Sequence, residues 1–489
     1  MTTGKFTALS RREFLKNAAA GAAASGLLGP VGKNASAAEQ QSALYNEKYR
    51  PQFHFTPMKN WTNDPNGLVY YKGEYHLFFQ HNPSGINWGN MTWGHAVSTD
   101  LLHWKQLANA IEPDELGTIF SGSAVVDWKN TSGFQTGKEN VLVAFYTSAG
   151  KHAPVPCPFT QSIACSNDRG RTWVKYRNNP VIEHIRGRNR DPKVIWHRPT
   201  ETWIMALYLA GDDSMLLSSK DLKQWKQLQQ LKLPDSSECP DFFELPVEGD
   251  PTKTRWVFWG ADGKYLLGTF DGSKFTPDSP PFESKVGNYY AAQTYSDIPE
   301  HDGRRIQIAW MAGGKFPDMP FNQQMSIPCE LTLKRLPEGI RLCRTPVREI
   351  KNLRTGPHTW QDLNLGPQQN PLAEIAGELF EIESEIEPAG ASEVGFVLRG
   401  TPLVYNVQTG QLSCKDEHVN IKNTNGKIRL HILVDRTSIE VFPNEGSICL
   451  FRCFPLDAEN HTLQIFAKGG QATVKKLNIW PLKSVWPQA

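Results

Sequence analysis

The chain has 489 residues, long enough for two or three domains at roughly 100–200 residues each. It is 39% hydrophobic and 21% charged, which excludes disorder over most of its length, and its net charge of +2 gives no electrostatic footprint for nucleic acid or an anionic membrane. Aromatic residues make up 11%, with 15 tryptophans; such rings fill β-cores and also stack on sugars, and composition does not choose between the two.

The N-terminus reads as an address. Ser10-Arg11-Arg12-Glu13-Phe14-Leu15-Lys16 is a twin-arginine pattern, followed by an Ala- and Gly-rich apolar run from Ala18 to Leu28 and by the small residues Ala35-Ser36-Ala37. The run is far short of the ~18–20 apolar residues of a spanning helix. Residues 1–38 are therefore expected to be a signal peptide read transiently by the twin-arginine machinery. The mature chain should then be periplasmic or extracellular and carry no transmembrane span. The competing reading is a basic terminus with an accidental arginine pair. Eight cysteines follow, at 157, 165, 239, 329, 343, 414, 449 and 453, with no CxxC pair and no zinc-type spacing. Export permits disulfides, but most of these are expected to be buried thiols.

From Tyr45 onward the chain is written in short strands. Leu68-Val69-Tyr70-Tyr71, Lys72-Gly73 and Glu74-Tyr75-His76-Leu77-Phe78-Phe79 predict a hairpin. Val141–Tyr146, Trp203–Tyr208 and Arg255–Trp259 are similar runs, and helical periodicity is scarce. A weak repeat runs through them. Ser98-Thr99-Asp100-Leu101-Leu102-His103-Trp104 is echoed by Ser166–Trp173 and by Ser218–Trp225. The spacing of about 50–70 residues is near one four-stranded propeller blade. Each Asp is expected to close a turn and each Trp to pack between blades, a structural rather than sugar-binding use. After Pro346 the composition turns to Gly, Pro and Gln, as in a linker, over residues 346–370. Alternating strands at 380, 396, 430 and 439 then predict a β-sandwich over 371–487. The expected architecture is all-β: a propeller over 45–345 followed by the sandwich.

Three acids stand in unusual settings. Asp64 lies in Trp61-Thr62-Asn63-Asp64-Pro65-Asn66-Gly67, which reads as a tight turn just before the first strand. Asp191 follows Arg190, whose charge should hold the carboxylate ionised, and Glu238 enters the apolar run Cys239-Pro240-Asp241-Phe242-Phe243, which should raise its pKa. One acid ionised and one protonated is the requirement of glycosidic cleavage. Spacing alone leaves the alternative that these are turn-capping carboxylates.

Read together, the motifs resemble glycoside hydrolase family 32, the β-fructosidases. The segments that carry the likeness are His54-Phe55-Thr56-Pro57, Trp61–Gly67, Tyr75–Pro83, Trp88–Ser98, Phe120–Ala124, Arg190–Val194, Glu238–Asp241 and Val434–Phe442. The resemblance implies a five-bladed propeller joined to a sandwich, with the site in the propeller's central funnel. It implies Asp64 as nucleophile, Glu238 as general acid/base and Asp191 as transition-state stabiliser. It also implies Asn63, Gln80, Trp88, Phe120, Ser121 and Arg190 around a terminal fructosyl unit of levan, inulin or sucrose. Retention of configuration would place the nucleophile and acid/base carboxyls ~5–5.5 Å apart. No metal or organic cofactor is implied. His54, His76 and His95 are expected to be hydrogen-bonded core residues rather than ligands. Two departures bear on the leaving-group side. Ala312-Gly313-Gly314 follows Trp310-Met311 where the family often has Asn-Trp, and Cys329 stands where Arg is usual. A fructosyltransferase, an arabinanase- or xylosidase-like glycosidase and a non-catalytic sugar-binding protein are the alternatives; Asn63-Asp64-Pro65-Asn66-Gly67 and the three acids together disfavour the last two.

Overall fold

A computed structural model describes residues 45–366 and 369–486; the signal peptide expected over 1–38 lies outside the described residues. Among the described residues helix is confined to three short 3-10 turns, at Gly150–His152, Arg198–Thr200 and Arg348–Leu353.

Five antiparallel meanders form the propeller. Their innermost strands are Asn60–Tyr71, Thr118–Asp127, Arg190–His197, Asp241–Val247 and Tyr290–Thr294. Each of these neighbours the next, and the last returns to the first. The ring is tied by backbone hydrogen bonds from Tyr70 N to Ser296 O at 3.0 Å and from Ser296 N to Leu68 O at 2.9 Å. A further tie is the parallel pairing of Asn60 with Phe321. Blades 4 and 5 merge into one nine-stranded sheet through Val247 and Leu333.

The repeat found in the sequence is a packing rule. Asp100, Asp168 and Asp221 each turn an Oδ1 onto two successive backbone N–H groups, which closes the turn after the third strand of a blade. The tryptophan that follows is then delivered to the neighbouring unit. Trp173 of blade 2 meets Phe78 of blade 1 edge-on at 5.3 Å, and Trp225 of blade 3 meets Phe145 of blade 2 at 5.8 Å. Trp104 of blade 1 instead meets Phe55, in the segment that precedes the first strand, edge-on at 6.0 Å. The Lys72-Gly73 hairpin also forms, with both residues at positive φ as its two-residue turn requires.

The sandwich packs a seven-stranded sheet on a five-stranded one around a core that includes Phe380, Phe396, Leu403 and Ile432. Residues 346–370, read as a linker, are largely structured. They contain the 3-10 turn Arg348–Leu353 and the strand His358–Leu365, which pairs with Ala472–Pro481. This strand forms the sheet's edge and most of its side chains face solvent, so its polar composition imitates a linker.

The two lobes share one core. Leu433, Phe442 and Phe451 of the sandwich pack with Tyr289, Ile308 and Met325 of the propeller, and the described residues fall in a single compact unit. The propeller strand Lys285–Gly287 even joins the edge of the seven-stranded sheet beside Cys449–Cys453. A buried latch crosses the same seam. His54 bonds Asp435 Oδ2 through Nδ1 at 2.8 Å and Glu440 Oε2 through Nε2 at 2.7 Å. Burial pushes the imidazole down, but the Glu440 charge and the two hydrogen bonds outweigh it and raise its pKa to about 9. His76 and His95 are also buried, bonded Nδ1 to Nε2 at 3.0 Å. All eight cysteines are free and six of them are buried.

Candidate active site

The inner strands break their own regularity where they reach the funnel. Strand pairing slips between Thr62 and Pro65, between Phe120 and Gly122, opposite Asp191–Pro192, and between Tyr290 and Gln293. A bulge re-aims the side chains beside it. Asp64 therefore sits inside the first strand at such a bulge, not in a turn preceding it. Asp191, Glu238, Cys239 and Ala291 all have positive φ, between 40° and 63°. Such left-handed residues cost of order 1–3 kcal/mol each and persist where the surroundings over-determine them. Gly122 is required by a close approach: a Cβ there would lie 1.9 Å from the Phe145 carbonyl oxygen.

These distortions converge on a cavity of about 440 Å³. All nine residues singled out in the sequence line it: Asp64, Asp191, Glu238, Asn63, Gln80, Trp88, Phe120, Ser121 and Arg190. Six others had not been singled out as site residues: Lys151, His152, Phe159, Arg188, Tyr290 and Trp310. Trp310 had a signal in the Trp-Met pair, and Tyr290 opens the fifth inner strand. Lys151 and His152 arrive on a 3-10 turn that carries no pattern of its own.

Asp64 is held on both oxygens. Ser121 Oγ donates to its Oδ2 at 2.5 Å and Asn63 Nδ2 to its Oδ1 at 3.1 Å, while Trp61 Nε1 fixes Asn63 Oδ1 at 2.8 Å. Burial raises the Asp64 pKa, the Ser121 and Asn63 hydrogen bonds oppose the rise, and the Glu238 charge adds to it; the net direction is up. The Cys239 thiol lies 3.6 Å from Asp64 Oδ2 and 3.5 Å from Asp191 Oδ2. Burial, with both aspartate charges, pushes that thiol well up, so it serves as an S–H donor to the two acids.

Arg190 is a fork between the other two acids, with Nη2 at 2.6 Å from Glu238 Oε1 and Nε at 3.6 Å from Asp191 Oδ2. Its guanidinium lies 4.6 Å over the Tyr208 ring. This corrects two expectations. Arg190 does not keep the Asp191 pKa low: burial dominates, the Glu238 and Asp64 charges reinforce it, and the pKa rises to about 7 despite Arg190. Glu238 is not enclosed in apolar surroundings either; its side chain is 34% exposed and ion-paired. The apolar residues that follow it, Phe242 and Phe243, turn into the blade cores instead.

One wall of the mouth is an aromatic cluster in which Phe120 meets Trp88, His152 and Phe159 at 5.5–6.0 Å. The opposite wall sets Trp310 against Trp61 at 6.1 Å and Tyr290 at 6.3 Å. The two departures lie elsewhere. Gly313 and Gly314 line a separate cleft with Lys415, Glu417 and Arg452 of the sandwich, and Cys329 is a fully buried core thiol.

A propeller funnel with three carboxylates, a bridging arginine and aromatic walls defines a carbohydrate-cleaving enzyme, a glycoside hydrolase. Residues 54–346 match the glycosyl hydrolases family 32 N-terminal domain and residues 349–481 the glycosyl hydrolases family 32 C-terminal domain; the chain belongs to this family. It is 42% identical to a levanase of Bacillus subtilis, over 92% of this chain and 73% of that one. It is 33% identical to an extracellular exo-inulinase of Aspergillus ficuum, over 90% and 96%. The crystal structure of an exo-inulinase from Aspergillus awamori superposes with a TM-score of 0.82 at 30% identity, covering 90% of this chain and all of that one.

Proposed function

We propose that the chain is a retaining, exo-acting β-fructosidase that releases terminal fructosyl units from levan, inulin and related fructans and also cleaves sucrose. The observation that carries this reading is the placement of Asp64 and Glu238 on one cavity with Arg190 between Glu238 and Asp191. The likeness to exo-inulinases supports exo action.

In the first step an Asp64 oxygen attacks the anomeric carbon of fructose as the bond to the leaving oxygen breaks. Glu238 gives its proton to that oxygen. Ser121 and Asn63 hold the attacking carboxylate in one orientation. Arg190 steadies Glu238 while its charge changes. Asp191 binds fructose hydroxyls without forming a bond to carbon. In the second step Glu238 takes a proton from water, which attacks the fructosyl–Asp64 ester and restores the carboxylate.

The test resolves products from levan, inulin and sucrose by chain length. Free fructose as the sole early product from the fructans is expected, and short oligomers would show endo action instead. Asp64→Ala and Glu238→Ala should each lower kcat by several orders of magnitude with folding intact. Longer fructosyl products at high sucrose would mark a transferase. No helix among the described residues is long and apolar enough to cross a membrane. We also propose that residues 1–38 direct twin-arginine export. Replacing Arg11 and Arg12 by Lys should keep the enzyme inside the cell.

A further inference from the structure

The inner strands open the funnel at their first residues and meet again at their last residues on the opposite face of the propeller. A second cavity of about 450 Å³ lies there. Blade 2 contributes Trp128, blade 3 Trp196 and Trp203, and blade 5 Tyr295, Ser296 and Asp297. Lys193 and Asp241, on two of the inner strands, are a buried pair that lines neither cavity, and Lys193 Nζ also donates to Thr294 O.

The tryptophans give this lower mouth the chemistry of a site. Trp128 is 54% exposed, yet its ring is fixed, because Nε1 donates to Asp297 Oδ1 at 2.8 Å. Trp196 stands beside it, set edge-on at 4.9 Å against Trp203, whose own N–H is taken by Thr131. Tyr295 and Ser296 are only 1% and 8% exposed, and neither hydroxyl has a hydrogen-bond partner among the described residues. Both oxygens are shut off behind the cavity wall, so what this mouth presents to a ligand is the indole surface.

The cations around this mouth all have partners. Lys129 is paired with Glu201 and Arg198 with Glu300. Arg304 is held by Asp302, Glu330 and Glu349. Arg305 donates to the Tyr295 carbonyl and faces Asp241 and Asp297. Among the described residues each cation of this mouth is thus already engaged, whereas indole faces suit an uncharged sugar ring.

We propose that the lower mouth is a non-catalytic carbohydrate site that holds a sugar unit of the same fructan whose end enters the funnel. The choice of fructan rests on the β-fructosidase reading; the preference for a neutral sugar does not. Holding a polymer on the far face raises the local concentration of chain ends at the funnel.

The test is affinity electrophoresis in gels containing levan, inulin or a β-glucan, using full-length protein with Asp64→Asn to prevent hydrolysis. Adding Trp128→Ala should weaken retardation in levan at least fivefold, and adding Trp196→Ala should weaken it in the same direction. With Asp64 intact, both variants should keep kcat/KM on sucrose within twofold while losing threefold or more on long-chain levan. Retardation equal to the parent in every gel, or equal losses on sucrose and levan, overturns the proposal. Trp128-dependent retardation in the glucan gel alone overturns the shared substrate. The catalytic reading stands or falls separately, on the release of fructose.

Discussion

Asp191→Asn should make this protein more stable and less active, and the stability gain should depend on pH. Asp191 is buried, its charge is opposed by desolvation and by Glu238 and Asp64, and Arg190 offsets only part of this, leaving a pKa of about 7. In the unfolded chain an aspartate titrates near ~3.9. Below that value the carboxyl is protonated in both states and the native state bears no penalty. As pH rises the unfolded state ionises freely while the native state resists, so stability is lost across the interval and the loss is complete above about 7. At ~1.4 kcal/mol per pH unit, a gap of roughly three units amounts to about 4 kcal/mol. Asparagine matches the shape, keeps an oxygen for the Cys239 N–H at 3.1 Å and carries no charge. Urea unfolding followed by tryptophan fluorescence should show Asp191→Asn stabilised by up to about 4 kcal/mol at pH 8 and matching the parent at pH 3.5. Its kcat/KM on sucrose should fall by about a hundredfold or more, as for other losses of transition-state electrostatics. A gain that persists unchanged at pH 3.5, or no gain at pH 8, would refute burial as the source of the shift.

Ser121→Ala removes a donor that favours the charged form of Asp64, so the acid limb of kcat/KM should move to higher pH, by about one unit for a charge-assisted bond; a limb that stays put would dissociate Asp64 from that ionisation. Gly122→Ala forces a Cβ against the Phe145 carbonyl and should cost more than the ~1–3 kcal/mol of ordinary overpacking, with loss of activity through Ser121; thermal melts and kinetics check both. His54→Gln leaves Asp435 and Glu440 buried without their cation and should destabilise by roughly 3–5 kcal/mol near neutral pH. The imidazole's pKa is raised, so its contribution is complete below ~6.5 and fades as pH rises through about 9. The stability difference between parent and His54→Gln should shrink over that window, and a constant difference would remove His54 from the latch.

Much of the fold was legible because propellers repeat. The Ser-Asp-Trp signature marks a local turn whose hydrogen bonds close within a few residues, so it survives in the sequence wherever the turn does. Strand His358–Leu365 was not legible, because an exposed edge strand has the composition of a linker. The merged core of propeller and sandwich was hidden as well. Its partners, such as Tyr289 and Phe451, stack at 4.4 Å across a long stretch of chain.

The site divides along the same line. Local settings marked Asp64, Asp191 and Glu238, and the family resemblance added the six residues around them, because each motif is a contiguous bulge or turn. Their protonation was beyond the sequence, because it depends on what surrounds each group in space. Arg190 adjoins Asp191 in the chain yet makes its closer contact with Glu238, and desolvation by the assembled funnel overrides its charge. The early count of aromatics is apportioned the same way. The turn motif was enough to send Trp104, Trp173 and Trp225 to blade packing. Only the closed ring brings Trp88 to one face and Trp128 to the other, because a cavity is made by strands that are distant in sequence.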